Sequence, residues 1–168
     1  VILVSILLAI PSLSQDFVDS LYRDAVRIEF GKILNEFRIN HYKKKPYRHN
    51  FDPTVTWIVT DNLFLNHKFF HDDAENMALY LEHEGELTHD VTNKNNPYYD
   101  KIRGLYVAEC VTGTGVDPDP KIFAQKIFDI FYRSPKHRQC MMIEGQYFTV
   151  GFRNLDGGIG QTVVVRIY

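Results

Sequence analysis

Phe131-Tyr-Arg-Ser-Pro-Lys-His-Arg-Gln-Cys-Met-Met142 is the stretch around which the chain is organised. Ahead of it, Ile122, Phe123, Ile127, Ile130 and Phe131 repeat at helical spacing, and Asp119-Pro120 supplies a start signal: an acidic cap with proline in the first turn. Ser134-Pro135 ends that helix, because proline has no N–H for the ladder and pushes the preceding residue out of the helical region. His137 sits directly behind the break and is therefore re-aimed away from the helix axis. What it faces has to come from elsewhere in the chain.

The whole chain has 168 residues, 45% hydrophobic and 14% aromatic, which suits one globular domain and is too apolar for disorder. A chain of this size buries roughly 68–70% of its unfolded surface, enough for a core that needs no cofactor to fold. Nineteen Lys and Arg against 21 Asp and Glu give a formal charge of -2, so nucleic-acid binding lacks electrostatic support. Val1 to Ile10 is apolar except at Ser5 and is followed by Pro11-Ser-Leu-Ser-Gln15, with small residues at Ser12 and Ser14. Residues 1–14 thus read as a signal peptide cleaved before Gln15, leaving 15–168 as the mature domain and placing the protein in the periplasm or outside the cell. The alternative is a buried N-terminal segment of the domain itself. The apolar run stops at Pro11, short of the ~18 residues a membrane span needs.

From Asp16 to about Lys45 the pattern predicts one long helix, ended by Lys43-Lys-Lys-Pro46. Asp52-Pro53-Thr54 opens a second predicted helix running through Trp57, Phe64 and Phe70 to Leu81, with a break near His71-Asp72-Asp73. Residues 84–104 form a long polar connection, the kind that tends to carry function. Leu105 to Gly113 reads as a short buried segment, and Phe148, Val150 and Phe152 alternate into a turn at Asp156-Gly-Gly158 and a returning strand, Gln161 to Tyr168. The class is α+β, helix-rich with a small antiparallel sheet.

Seven histidines are the first candidates for chemistry. His67 and His71 share a helical face at metal-binding spacing, but no third ligand stands at a fixed distance, so they read as a surface pair. His83 looks like a solvated helix end, and His41 and His49 flank the lysine run. His89 opens the long loop, where the scaffold can hold it at a cleft. Nucleophile elbows, phosphate-binding glycine loops and Cys-x-x-Cys pairs are missing. Cys110 and Cys140 read as one disulfide in an exported protein or as two buried thiols in the cytosol; nucleophilic use of either needs a nearby base.

Taken in order, Asn35-Glu-Phe-Arg38, Leu87-Thr-His89, Ala108-Glu109, Ser134-Pro-Lys-His-Arg138 and Tyr147-Phe-Thr-Val-Gly-Phe152 resemble the CAP domain, the superfamily of cysteine-rich secretory proteins, antigen 5 and pathogenesis-related proteins, in its compact bacterial form. The resemblance covers about residue 27 to the end. It implies an α-β-α sandwich with a small antiparallel sheet between helices, an exported protein, and a cleft lined by His89, Glu109, Ser134 and His137. It further implies Zn²⁺ as a possible ligand of His89 and His137, or a polar ligand oriented by them. Ser134 stands where many members carry a second glutamate, which weakens an enzymatic reading. Ala74-Glu-Asn-Met77 spells the family's Glu-Asn motif in the wrong place. Cys110 and Cys140 both replace family asparagines, so the resemblance implies a disulfide between them, closing a loop of about thirty residues with roughly 3–4 kcal/mol of stabilisation. The function implied first is a non-catalytic binding module for a small-molecule, lipid, peptide, cell-envelope or protein partner. Second comes a metal-assisted hydrolase through His89, Glu109 and His137, and third a structural component of a surface assembly.

Overall fold

The structure is a computed structural model, and it describes residues 15–42, 47–48, 56–57, 64–65, 68–102, 106, 108–143, 147–154 and 161–168. The expected signal peptide, the Asp52-Pro53-Thr54 helix start, the lysine run and the Asp156-Gly-Gly158 turn lie outside them, as do His49 and His67 and the side chains of His41 and His71.

The first helix, α1 (Gln15–Tyr42), follows the expected span. Its apolar face puts Val26, Phe30 and Leu34 in the core. The second does not begin where the Asp-Pro-Thr signal put it. Thr56–Trp57 (β2) pairs antiparallel with Tyr47–Arg48 (β1), Phe64–Leu65 is a short strand (β3), and α2 occupies only Lys68–Glu84. Aromatic and β-branched residues crowd this region, and their preference for extended backbone overrides a loose helical spacing. The expected break at His71-Asp72-Asp73 is inside α2.

Beyond a 3-10 turn (Tyr99–Lys101), β4 (Ala108–Thr114), α3 (Pro120–Arg133), α4 (Pro135–Met141), β5 (Tyr147–Asn154) and β6 (Gln161–Ile167) complete the described chain. Asp119 caps α3 as its sequence suggests, accepting from the N–H groups of Lys121 and Ile122 with Pro120 in the first turn. Ser134-Pro135 does stop α3, but it also starts α4: Ser134 Oγ accepts from the N–H of His137, and Pro135 occupies the first turn. The proline that forbids one helix is pre-organised for the next.

The sheet runs β3-β5-β6-β4, with β3 parallel to β5 and the other pairs antiparallel. One face packs on α1, α3 and α4 through Phe30, Phe123, Ile127, Phe131, Met141, Val150, Val163 and Val165. The opposite face packs on α2 through Ala74, Met77, Ala78 and Leu81 against Val111 and Val164. The fold is therefore α+β, a sheet with helices on both faces. Arg38 ties the layers' ends: 1% exposed, it donates through Nη1 to the carbonyl oxygens of Met141 (2.7 Å) and Ile143 (2.9 Å). Those are the carbonyls at the end of α4, the electronegative pole of the helix. Among the described residues no helix is long and apolar enough to cross a membrane.

Candidate functional site

β4 is an edge strand of the four-stranded sheet, and the site is built on it. Because side chains alternate across a strand, Glu109 points to the α2 face while Ala108 and Cys110 point to the α3–α4 face. With no further strand beside it among the described residues, this edge leaves room for the loop after α2 and for α4 to meet around it.

Glu109 is opposite Arg166 in the β4–β6 register, so the two share a face. Arg166 Nε donates to Glu109 Oε2 at 2.6 Å, its Nη1 donates to Asp73 Oδ2 at 2.5 Å, and Nη1 also lies 3.3 Å from the carbonyl oxygen of Ile102. The guanidinium side chain is 0% exposed and Glu109's is 3%, and the Tyr106 ring covers the guanidinium at 4.2 Å. The Tyr168 hydroxyl donates to the same Asp73 oxygen at 2.9 Å. Burial works against the guanidinium's charge, but Glu109 and Asp73 outweigh it and leave the group more firmly protonated than usual. Burying charges costs free energy unless each is paired, and here Arg166 is paired with both carboxylates through Nε and Nη1, while its buried Nη2 has no hydrogen-bond partner among the described residues.

The remaining oxygen of Glu109 serves His89. His89 Nδ1–H donates to Oε1 at 3.0 Å, fixing the ring and leaving 53% of the His89 side chain exposed. The loop that carries His89 is tied down on both sides. Gly85 closes α2 in the left-handed region, φ 71°, with its N–H on the carbonyl of Leu81 at 3.0 Å, a backbone position that favours glycine. Farther on, Asn93 and Asn96 donate to Glu84 Oε1 at 2.9 and 2.7 Å, and Asn96 also donates to the Tyr80 carbonyl at 3.1 Å. His89 is thus held by its scaffold.

His137 comes from α4. Its ring lies 6.3 Å from that of His89 between centroids and meets the buried Phe131 ring edge-on at 5.2 Å. His137 Nδ1 is buried without a hydrogen-bond partner among the described residues. The two imidazoles are displaced in opposite directions. The Glu109 hydrogen bond raises His89 above the ordinary imidazole value, against some loss from burial. Burial first, then the charge of His89, lowers His137. Protonated His89 on Glu109 therefore stabilises the fold below the ordinary imidazole pKa, and this is lost as pH rises through the raised value. His137 works the other way, costing stability as pH falls through the ordinary value toward its lowered one. Between the two values one ring is charged and its neighbour is neutral.

Three of the four sequence-derived cleft residues, His89, Glu109 and His137, are brought together. Ser134 is not a lining group in the same sense: its hydroxyl is spent on the N–H of His137, at 3.4 Å. Glu75, in the misplaced Glu-Asn motif, pairs with Arg27 and Arg153 instead. Glu109 has both oxygens committed, to His89 and Arg166, and among the described residues no cluster of three His, Cys, Asp or Glu is placed to hold a metal ion. With both Glu109 oxygens taken, the two imidazoles are the donors this site offers among the described residues. Arg166 and Asp73 are not singled out by any sequence motif. The usable signal is the arginine within Val163-Val-Val-Arg-Ile167, since a charge inside a well-buried strand requires a buried partner.

Cys110 and Cys140 pack into the same hydrophobic cluster, and in this structure both sulfurs are free. Cys110, 2% exposed, lies on β4 with its sulfur 3.7 Å from the carbonyl oxygen of His137 and in hydrogen-bond contact with Cys140. That contact and burial raise the Cys110 thiol. The same contact lowers Cys140 to about 7, helped by the charge of His89 and by the backbone N–H of Glu109, against burial and the Glu109 carboxylate.

No family model matches the chain, and no curated protein does. Among solved structures, the chain is similar to an outer surface protein from Borrelia burgdorferi, with 14% identity and a TM-score of 0.47 over 83% of this chain and 92% of that one.

Proposed function

We propose that the protein is an exported, CAP-like binding module that holds a small, lipid, peptide or cell-envelope ligand in the cleft between His89 and His137. One observation carries this reading: a buried set of charges, Asp73, Arg166 and Glu109, fixes a single half-exposed imidazole opposite a second. The network ends at the surface, on a ring that a ligand can reach: the His89 side chain is 53% exposed. The order of the five sequence motifs and the packing of helices on both sheet faces support the CAP-like assignment. A hydrolase is the second reading. It is favoured by the opposite displacement of the two rings, since a protonated His89 can donate a proton while a neutral His137 accepts one.

The test is a titration with two probes, a soluble muropeptide and phosphatidylglycerol vesicles, followed through the imidazole resonances of His89 and His137. One probe is expected to move both rings. The His89→Ala, His137→Ala double variant is expected to bind that probe at least about ten-fold more weakly, the scale of a lost charged hydrogen bond. Full affinity in the double variant would place the ligand elsewhere. Turnover of the muropeptide that vanishes in the double variant would favour the hydrolase.

A further inference from the structure

Two free cysteines share the hydrophobic cluster beneath His137, Cys110 buried and Cys140 partly open, and neither the binding reading nor the hydrolase reading uses them. Cys140 stands on α4 with part of its surface open. Cys110 is buried on β4, with its sulfur 3.7 Å from the His137 carbonyl oxygen. A reagent from solution therefore meets Cys140 first. The backbone N–H of Glu109 on β4 and the charge of His89 both favour a thiolate at Cys140. The Glu109 carboxylate opposes them, but its charge is shared between Arg166 and His89.

We propose that Cys140 and Cys110 form a redox-active dithiol that exchanges with low-molecular-weight disulfides, Cys140 as the attacking sulfur and Cys110 as the resolving one. In the first step the Cys140 thiolate attacks one sulfur of the external disulfide. The external S–S bond breaks, a mixed disulfide forms on Cys140, and the first external thiolate leaves carrying the proton that Cys140 gave up. In the second step the Cys110 sulfur attacks Cys140. The mixed disulfide breaks, the Cys110–Cys140 bond forms, and the second external thiolate leaves with the Cys110 proton. Two protein thiols are oxidised by two electrons and one external disulfide is reduced to two thiols. The step joins β4 to α4 where they already pack: the Cys110 sulfur lies 3.7 Å from the His137 carbonyl oxygen on α4, and Cys140 packs against the same cluster.

The experiment uses the full chain, oxidised glutathione as the probe, and mass spectrometry. The wild type is expected to become lighter by two hydrogens without retaining glutathione, and to regain them when the native protein is returned to reduced glutathione. Cys110→Ala is expected to accumulate glutathione on Cys140, and Cys140→Ser to accumulate none. Because a change at buried Cys110 risks the fold, native wild type is also alkylated with iodoacetamide: Cys140 is expected to react about ten-fold or more faster than Cys110. Equal alkylation of the two, a wild type that gains no internal bond, or a bond that reduced glutathione fails to open in the native protein would each overturn the proposal. The last result would mark a fixed cross-link. None of these measurements depends on which ligand the cleft binds.

Discussion

Replacing Arg166 with methionine is expected to destabilise the protein by about 3–5 kcal/mol, measured as a shift in the urea unfolding free energy. The side chain is fully buried and is the shared cation of Glu109 and Asp73, at 2.6 and 2.5 Å. Methionine fills much of the same volume but leaves the Glu109 and Asp73 carboxylates without their shared cation. The Ile102 carbonyl loses its donor and Tyr106 the cation under its ring in the same step. Adding Glu109→Gln to Arg166→Met is expected to recover part of the loss, because one stranded charge is removed; a double-mutant cycle reads the coupling. A loss below about 1 kcal/mol, the range of exposed ion pairs, would mean that the network does not exist as described.

Gly151→Ala is expected to cost at least about 3 kcal/mol, at or above the upper end of ordinary overpacking. A methyl group added at Gly151 on β5 would overlap the carbonyl oxygen and carbon of Ala74 and sit 2.6 Å from the nitrogen of Glu75. All three are backbone atoms of α2, so no side-chain rotation relieves the clash and the helix itself has to move. Asp73 is the residue before Ala74, so that movement also strains the Asp73–Arg166 pair. Gly31→Ala is the control. There the new methyl meets the end of the Phe148 ring, at 2.6 Å, and a side chain can tilt where a helix backbone cannot. Thermal unfolding of the two variants side by side should show the larger drop at Gly151.

Local signals are the legible part of this chain. The Asp119-Pro120 start, the Ser134-Pro135 stop and the alternating strand at Phe148-Phe152 each depend on a few adjacent residues, and each is realised. The Asp-Pro-Thr signal does not predict β2 and β3, because aromatic spacing at short range fits either a helix or strands until the partner strands are known. The site shows the same division. His89, Glu109 and His137 are legible through ordered motifs, yet what fixes them is not, since Arg166 reaches Glu109 across a β ladder and Asp73 reaches Arg166 from a helix far away in sequence. Ser134 carries a start signal for α4 as well as a stop for α3, and its hydroxyl goes to the cap. The same motif logic places the cysteines side by side, but proximity does not decide whether a bond forms; redox conditions do.

The central claim is that a buried carboxylate–guanidinium pair holds His89 in place opposite His137. A pH titration of the two imidazoles by nitrogen–proton NMR, in wild type and in Glu109→Gln, tests it most directly. In wild type, His89 should keep its proton above the ordinary imidazole value, and His137 should lose its proton below it. In Glu109→Gln, His89 should fall back toward the ordinary value, because an amide cannot replace the carboxylate charge. Two rings titrating together at the ordinary value, unchanged by Glu109→Gln, would contradict it.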